Sequence, residues 1–214
     1  MAAVFVTGAT GYMGSRLCRE LCARGHRVRG LARLGAEGRL AGRCEPVIGN
    51  ALDSSTYRDQ VAGCDTLVHL VGVSHPSPAK AAEFRSIDLV SAREAVAAAL
   101  HGGVRHFVYV GVAHPAPVMH AYIAARREAE DVVRGSGIAA TVLRPWYVLG
   151  PGHRWPYALI PVYWVLERLP ATREAAQRLG LVTLPEIVRA LAGAVEDPPE
   201  GVRVMGVREI RSTT

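Results

Sequence analysis

Residues Val4–Leu17 read VFVTGATGYMGSRL. An apolar, β-branched run stops at a cluster of small residues, and a helical pattern then begins. The glycines fall at Gly8, Gly11 and Gly14. Each has a physical reason at a join between strand and helix. Gly8 lets the chain turn sharply as it leaves the strand, Gly11 lets the helix N-terminus approach a pyrophosphate, and Gly14 lets the helix pack closely on the sheet. Backbone N–H groups and the helix dipole then hold the anion. Thr7 and Thr10 offer hydroxyl donors beside it. A glycine pattern of this kind is informative when it follows a strand and opens a helix, which is its context here. The stretch therefore predicts a dinucleotide-binding turn.

Outward from that turn, apolar β-branched runs alternate with helical periodicity. Strands are expected over Ala3–Thr7, Arg27–Ala32, Glu45–Ile48, Thr66–Leu70, His106–Gly111 and Ala140–Leu143. Helices are expected over Tyr12–Arg24, Ser54–Val61, Ala79–His101, Met119–Ser136 and Leu184–Glu196. Alternation of runs this apolar predicts an α/β fold: a doubly wound parallel sheet, the Rossmann fold, with right-handed crossovers. The composition changes after Arg144-Pro145. All three tryptophans, Trp146, Trp155 and Trp164, fall in one 19-residue window with Tyr147, Tyr157 and Tyr163. The expected organisation is a dinucleotide-binding domain over residues 1–145. Residues 146–214 then form a small aromatic, substrate-side lobe with a C-terminal helix and strand packed on the same domain.

The totals narrow the function classes. The 214 residues suit one α/β domain, and 50% hydrophobic residues exclude a disordered chain. The net charge is +6, carried by scattered arginines, with Lys80 the only lysine. No basic stripe with interleaved aromatics occurs, so nucleic acid is not an expected partner. The four cysteines form no C-x-x-C pair and stand beside no histidine cluster, which predicts reduced packing residues, no metal site and a cytoplasmic location. No leader pattern and no spanning apolar run are present. The amphipathic stretch YALIPVYWVLERLP (157–170) is broken by prolines and has mixed faces, which argues against a membrane surface.

The second strand ends in RVRGLARLG (27–35). An NAD site usually places an acid there for the ribose 2′-hydroxyl. Arg33 stands there instead and is suited to a 2′-phosphate, so the expected cofactor is NADP rather than NAD.

TGATGYMG (7–14), GNALD (49–53), LVHLVG (67–72), the Tyr122-x-x-x-Arg126 pair and LRPWYVLGPG (143–152) follow one another in an order that resembles the short-chain dehydrogenase/reductase superfamily. The nearest branch is the atypical and extended one, the NAD(P)-dependent epimerase/dehydratase-like and NmrA-like proteins. The resemblance is clear over residues 1–152. It implies that Gly8, Thr10, Gly11, Tyr12, Met13 and Gly14 form the pyrophosphate turn and that Arg33 meets the 2′-phosphate. It also implies adenine contact by Asn50 and Ala51, an adenosine-ribose wall from Leu70, Val71 and Gly72, and a nicotinamide-side segment of Pro145, Trp146, Tyr147 and Val148. Tyr122 matches the catalytic acid or base. Arg126 matches the lysine that holds the nicotinamide ribose and tunes the tyrosine.

The chain departs from the family pattern at two places. Arg126 replaces a lysine with a larger, planar group of different hydrogen-bonding geometry. Gly111 and Val112 stand where relatives carry a hydroxyl that orients the substrate carbonyl. His114, His120, Ser74 and Ser77 are weaker stand-ins, read as loop residues. Trp146, His153 and Trp155 are the expected substrate contacts, in a crevice suited to an apolar molecule. Two readings follow: an NADP-dependent oxidoreductase acting on an apolar carbonyl or alcohol, and a non-catalytic NADP-binding sensor or assembly protein.

Overall fold

A computed structural model of the chain describes residues 1–74, 76–151, 168–169 and 173–213. The β-branched runs form β1 (Ala3–Thr7), β2 (Arg27–Ala32), β3 (Glu45–Ile48), β4 (Thr66–His69), β5 (His106–Val110) and β6 (Ala139–Leu143). Two short strands, β7 (Tyr147–Leu149) and β8 (Leu181–Thr183), pair with each other in parallel, apart from the main sheet. Three-residue strands carry too little alternation to be read in sequence. The last strand, β9 (Val202–Met205), joins the main sheet beside β6.

Among the described residues the main sheet has seven parallel strands in the order β3-β2-β1-β4-β5-β6-β9. The chain leaves β1 toward β2 on one side and returns to β4 on the other. The topological switch point therefore lies between β1 and β4, and the crevice outside their carboxyl ends is where such sheets bind ligands.

Alternation along the strands sorts the core into two layers. Val4, Val6, Val68, Val108 and Val110 pack with α1 (Gly14–Ala23) and α7 (Leu184–Glu196). Phe5, Leu67, Phe107 and Tyr109 face α4 (Val90–His101) and α5 (His120–Gly135). Both faces are covered, which is why the strands read as continuous apolar runs. Each large side chain so buried is worth about 1.5–3 kcal/mol relative to exposure. Helix α7 starts on a capping box: the Thr183 hydroxyl accepts from the Glu186 amide at 3.4 Å, and Glu186 accepts from the Thr183 amide at 2.6 Å.

The helix expected over Tyr12–Arg24 begins at Gly14, because Tyr12 and Met13 belong to the turn. The helix expected over Ser54–Val61 divides into a 3₁₀ turn at Ser54–Thr56 and α2 (Arg58–Val61). The expected Ala79–His101 helix is not uniform. It passes from a 3₁₀ turn at Pro78–Lys80 through α3 (Ala81–Glu83) and a π-helical segment, Phe84–Leu89, into α4. That wider turn buries Phe84, Asp88 and Leu89 together. Short helices α6 (Arg173–Arg178) and α8 (Val207–Ser212) complete the C-terminal part. His153, Trp155, Tyr157, Tyr163 and Trp164 lie outside the described residues. No helix of the described residues is long and apolar enough to cross a membrane.

Candidate active site

The glycine turn sits at the carboxyl end of β1. Gly8 has φ +72°, and a Cβ built there would lie 2.9 Å from the Leu70 carbonyl carbon and oxygen. A Cβ at Gly14 would fall onto the Gly8 carbonyl oxygen and stand 2.8 Å from Ala9 Cα. These two positions exclude any side chain, the first by backbone conformation and the second by contact. The Gly11 amide donates to the Gly8 carbonyl at 2.9 Å and closes the turn. Met13 gives α1 no side-chain cap, and the first turn of α1 holds no acid. The Ser15 amide donates to the Gly11 carbonyl at 3.1 Å and the Arg16 amide to the Met13 carbonyl at 3.2 Å, so the turn itself satisfies these leading donors, and the positive end of the helix faces the turn without an acid beside it. Gly11 is exposed, and Thr10, Tyr12 and Met13 are half-buried around it. Thr7 does not contribute: its hydroxyl is fully buried and stands 2.8 Å from His69 Nδ1, which corrects the expectation that it offers a donor.

Gly14→Ala is expected to weaken nicotinamide dinucleotide binding tenfold or more, since overpacking costs about 1–3 kcal/mol and a tenfold change is about 1.4 kcal/mol. Calorimetric titration checks this; unchanged affinity would show that the turn does not seat the diphosphate.

Arg33 is exposed on the turn after β2. Glu37, four residues on, is held by the Gly35 amide at 3.1 Å. Asn50 is exposed, with its side-chain oxygen accepting from the Leu52 amide at 3.0 Å. Ala51 is half-buried against the core layer under α4. Leu70, Val71 and Gly72 follow β4 directly and are half-buried at the switch point.

Tyr122 and Arg126 lie one turn apart near the start of α5, so their side chains share a face. Tyr122 is half-buried. Its ring meets Phe84 edge-on at 5.1 Å, and the Arg126 guanidinium carbon lies 5.4 Å from its centroid. The hydroxyl takes part in neither contact. Arg126 is buried, donates to the Val110 carbonyl at 2.9 Å and pairs with Asp88 at 2.7 Å. A Cβ at Gly72 would collide with the Arg126 guanidinium, so the glycine makes room for it. Burial opposes the guanidinium charge, but Tyr122, Tyr109 and Asp88 outweigh it and strengthen it. Burial pushes the Asp88 carboxyl up, against the pull of Arg126 and of the Val73 amide, which donates at 3.1 Å. Arg126 Nε is buried with no hydrogen-bond partner among the described residues.

Gly111 is buried, and its amide donates to the Leu143 carbonyl at 2.8 Å. A Cβ there would lie 3.4 Å from the Tyr109 ring and 3.7 Å from a Glu130 oxygen. Val112 is buried too, so neither position at the end of β5 supplies a hydroxyl. His114 follows in the same loop, its Nδ1 3.0 Å from the Val112 carbonyl, while His120 and Ser74 are exposed. Pro145 is buried and accepts from the Ala113 amide at 3.0 Å. Trp146, Tyr147 and Val148 are half-buried beyond it. Sequence reasoning missed Asp88. The available signal was an acid within an apolar helical stretch, since a buried arginine requires a counter-charge.

Residues 8–155 match the family described as NAD(P)H-binding. A 4-hydroxy-2-methyl-3-oxo-4-farnesyl-3,4-dihydroquinoline-1-oxide ketoreductase of Stigmatella aurantiaca is 30% identical over 168 residues, covering 68% of this chain and 50% of that one. A ceramide reductase of Caulobacter vibrioides is 30% identical over 151 residues, covering 70% of this chain and 47% of that one. The chain thus spans about half the length of the curated relatives it matches. Among solved structures, the Bordetella bronchiseptica enzyme WbmH in complex with NAD+ superposes with a TM-score of 0.71 at 21% identity, over 98% of this chain and 78% of that one. At that identity the likeness speaks for the fold.

Proposed function

The chain belongs to the NAD(P)H-binding family, within the short-chain dehydrogenase/reductase superfamily, and from that premise we propose that it is an NADP-dependent oxidoreductase acting on an apolar carbonyl or alcohol. Nicotinamide dinucleotide binding comes with the family. The observation that carries the rest is Tyr122, whose ring is held from two sides at the start of α5 by contacts that do not use its hydroxyl.

Bound NADPH supplies the hydride. The turn from Gly8 to Gly14 binds the diphosphate, with Thr10, Tyr12 and Met13 around it. Arg33 pairs with the 2′-phosphate, and Asn50 and Ala51 meet the adenine. Leu70, Val71 and Gly72 line the adenosine ribose. Arg126 would hold the nicotinamide ribose, and Pro145, Tyr147 and Val148 would line the nicotinamide side. Tyr122 donates its phenolic proton to the carbonyl oxygen as the carbon is reduced, and solvent restores that proton. Trp146, with His153 and Trp155 from the substrate-side lobe over residues 146–214, contacts the substrate. An apolar substrate is supported by the half-buried aromatics after β6. It is also supported by the names of the relatives, one reducing a farnesyl-bearing ketone and the other a ceramide. The four free cysteines support a reducing, cytoplasmic setting.

The second reading, a nucleotide-binding protein without turnover, is favoured by Gly111, Val112 and the commitment of Arg126 to Asp88. Loss of one positioned donor costs about 10²- to 10³-fold in rate. NADPH consumption against long-chain ketones separates the two readings.

Arg33 makes the cofactor preference testable. NADPH is expected to bind more tightly than NADH, and Arg33→Ala to erase the difference. Equal affinities in the unaltered protein would refute the role given to Arg33.

A further inference from the structure

Nine polar or charged residues are buried among the described ones, and five of them form one connected path. Thr7 and His69 face each other across β1 and β4, at the switch point itself. His69 Nδ1 lies 2.8 Å from the Thr7 hydroxyl, and its Nε2 lies 3.3 Å from the Ser91 hydroxyl. Ser91 donates to the Asp88 carbonyl at 3.2 Å, and the Asp88 carboxylate pairs with Arg126. Thr7, His69, Ser91 and Asp88 are all 0% exposed. The His69 ring also stacks on Tyr109 at 6.1 Å, and the Tyr109 hydroxyl donates to the Arg126 carbonyl at 3.3 Å.

The distances give this path a direction. The Thr7 hydroxyl has its alternative acceptor, the Val68 carbonyl, at 3.5 Å, far longer than its approach to His69. It therefore donates to Nδ1. The Ser91 proton is used on Asp88, so its oxygen accepts from Nε2–H. Donors run from the glycine turn to Asp88 without a break. Burial and the Arg126 charge push the His69 imidazole down to about 3, which keeps the ring neutral, so one ring nitrogen donates and the other accepts. Asp88 lies in the π-helical segment, a form that recurs at functional sites.

We propose that His69 is a positioning residue that holds the glycine turn in register with the Asp88–Arg126 pair beneath Tyr122. Gly8 follows Thr7 directly, so the Thr7 link fixes where the diphosphate corner starts. The Ser91 link fixes the Asp88 backbone, and through it the guanidinium. Cofactor seat and Tyr122 helix are thus tied through one ring. The role rests on the proposed nucleotide site.

The test cuts the path at the end remote from the turn. Ser91→Ala is expected to raise the NADPH dissociation constant about three- to tenfold, the scale of one buried hydrogen bond. His69→Phe keeps the stacked ring and removes both links. In that background Ser91→Ala is expected to change the affinity no further. An unchanged dissociation constant in Ser91→Ala, or a full additional effect in the His69→Phe background, would overturn the positioning role while leaving the nucleotide site standing. Failure of the unaltered protein to bind NADPH would overturn both. Should the variants not fold, NMR of the imidazole nitrogens in the unaltered protein carries the test. The Nε2–H tautomer, with a His69 signal that moves when NADPH is added, is the expected result. An Nδ1–H tautomer, or a signal indifferent to NADPH, would contradict the role.

Discussion

Tyr122→Phe is expected to lower turnover by about 10²- to 10⁴-fold, the range of a lost general acid, with little change in NADPH affinity or melting temperature. Phenylalanine retains the ring, and with it both contacts that hold the residue: the edge-on approach to Phe84 at 5.1 Å and the Arg126 guanidinium carbon at 5.4 Å. Only the hydroxyl is removed, and neither contact uses it. A fall in melting temperature comparable to a core deletion would mean that the hydroxyl is structural. Unchanged turnover would mean that another group delivers the proton, and His114 would be examined next.

Asp88→Asn is expected to destabilise the fold by about 3–5 kcal/mol, the cost of leaving a buried charge without its partner. Asparagine keeps the size of Asp88 and an oxygen for the Val73 amide, so the change isolates the carboxylate charge that faces Arg126 at 2.7 Å. Arginine cannot escape by losing its proton. Glu128 provides the comparison: it pairs with Arg85 at 2.6 Å and Arg93 at 2.9 Å on the surface, and Glu128→Gln is expected to cost no more than about 1 kcal/mol. Urea denaturation of both variants measures the contrast. Equal, small losses would show that Asp88 and Arg126 do not act as a buried pair.

The glycine turn was legible in the sequence because its constraints are local. Gly8, Gly11 and Gly14 answer to the geometry of one turn and one helix end, and the strand before them, AVFVT, is fully buried and rich in β-branched residues. The parallel sheet was legible for a related reason: strands covered on both faces need no polar alternation. What could not be read depends on contacts between distant segments. The π-helical turn at Phe84–Leu89 looks like ordinary helix in sequence. Its effect is to bury Asp88, and only the fold brings Asp88 to Arg126. Thr7 could not be placed from sequence because a threonine beside a glycine turn has two possible faces. The strand register aims it at His69. The β7–β8 pair was hidden because each strand spans only three residues.

The two functional readings share a nucleotide site and differ in one event, delivery of hydride to a substrate. The most direct measurement supplies NADPH deuterated at nicotinamide C4 together with long-chain ketones and follows the label. Deuterium on the carbinol carbon of a product alcohol, formed by the unaltered protein and lost in Tyr122→Phe, is the predicted result. NADPH that binds tightly yet passes no label to any apolar ketone would contradict the oxidoreductase account and leave the chain a nucleotide-binding protein.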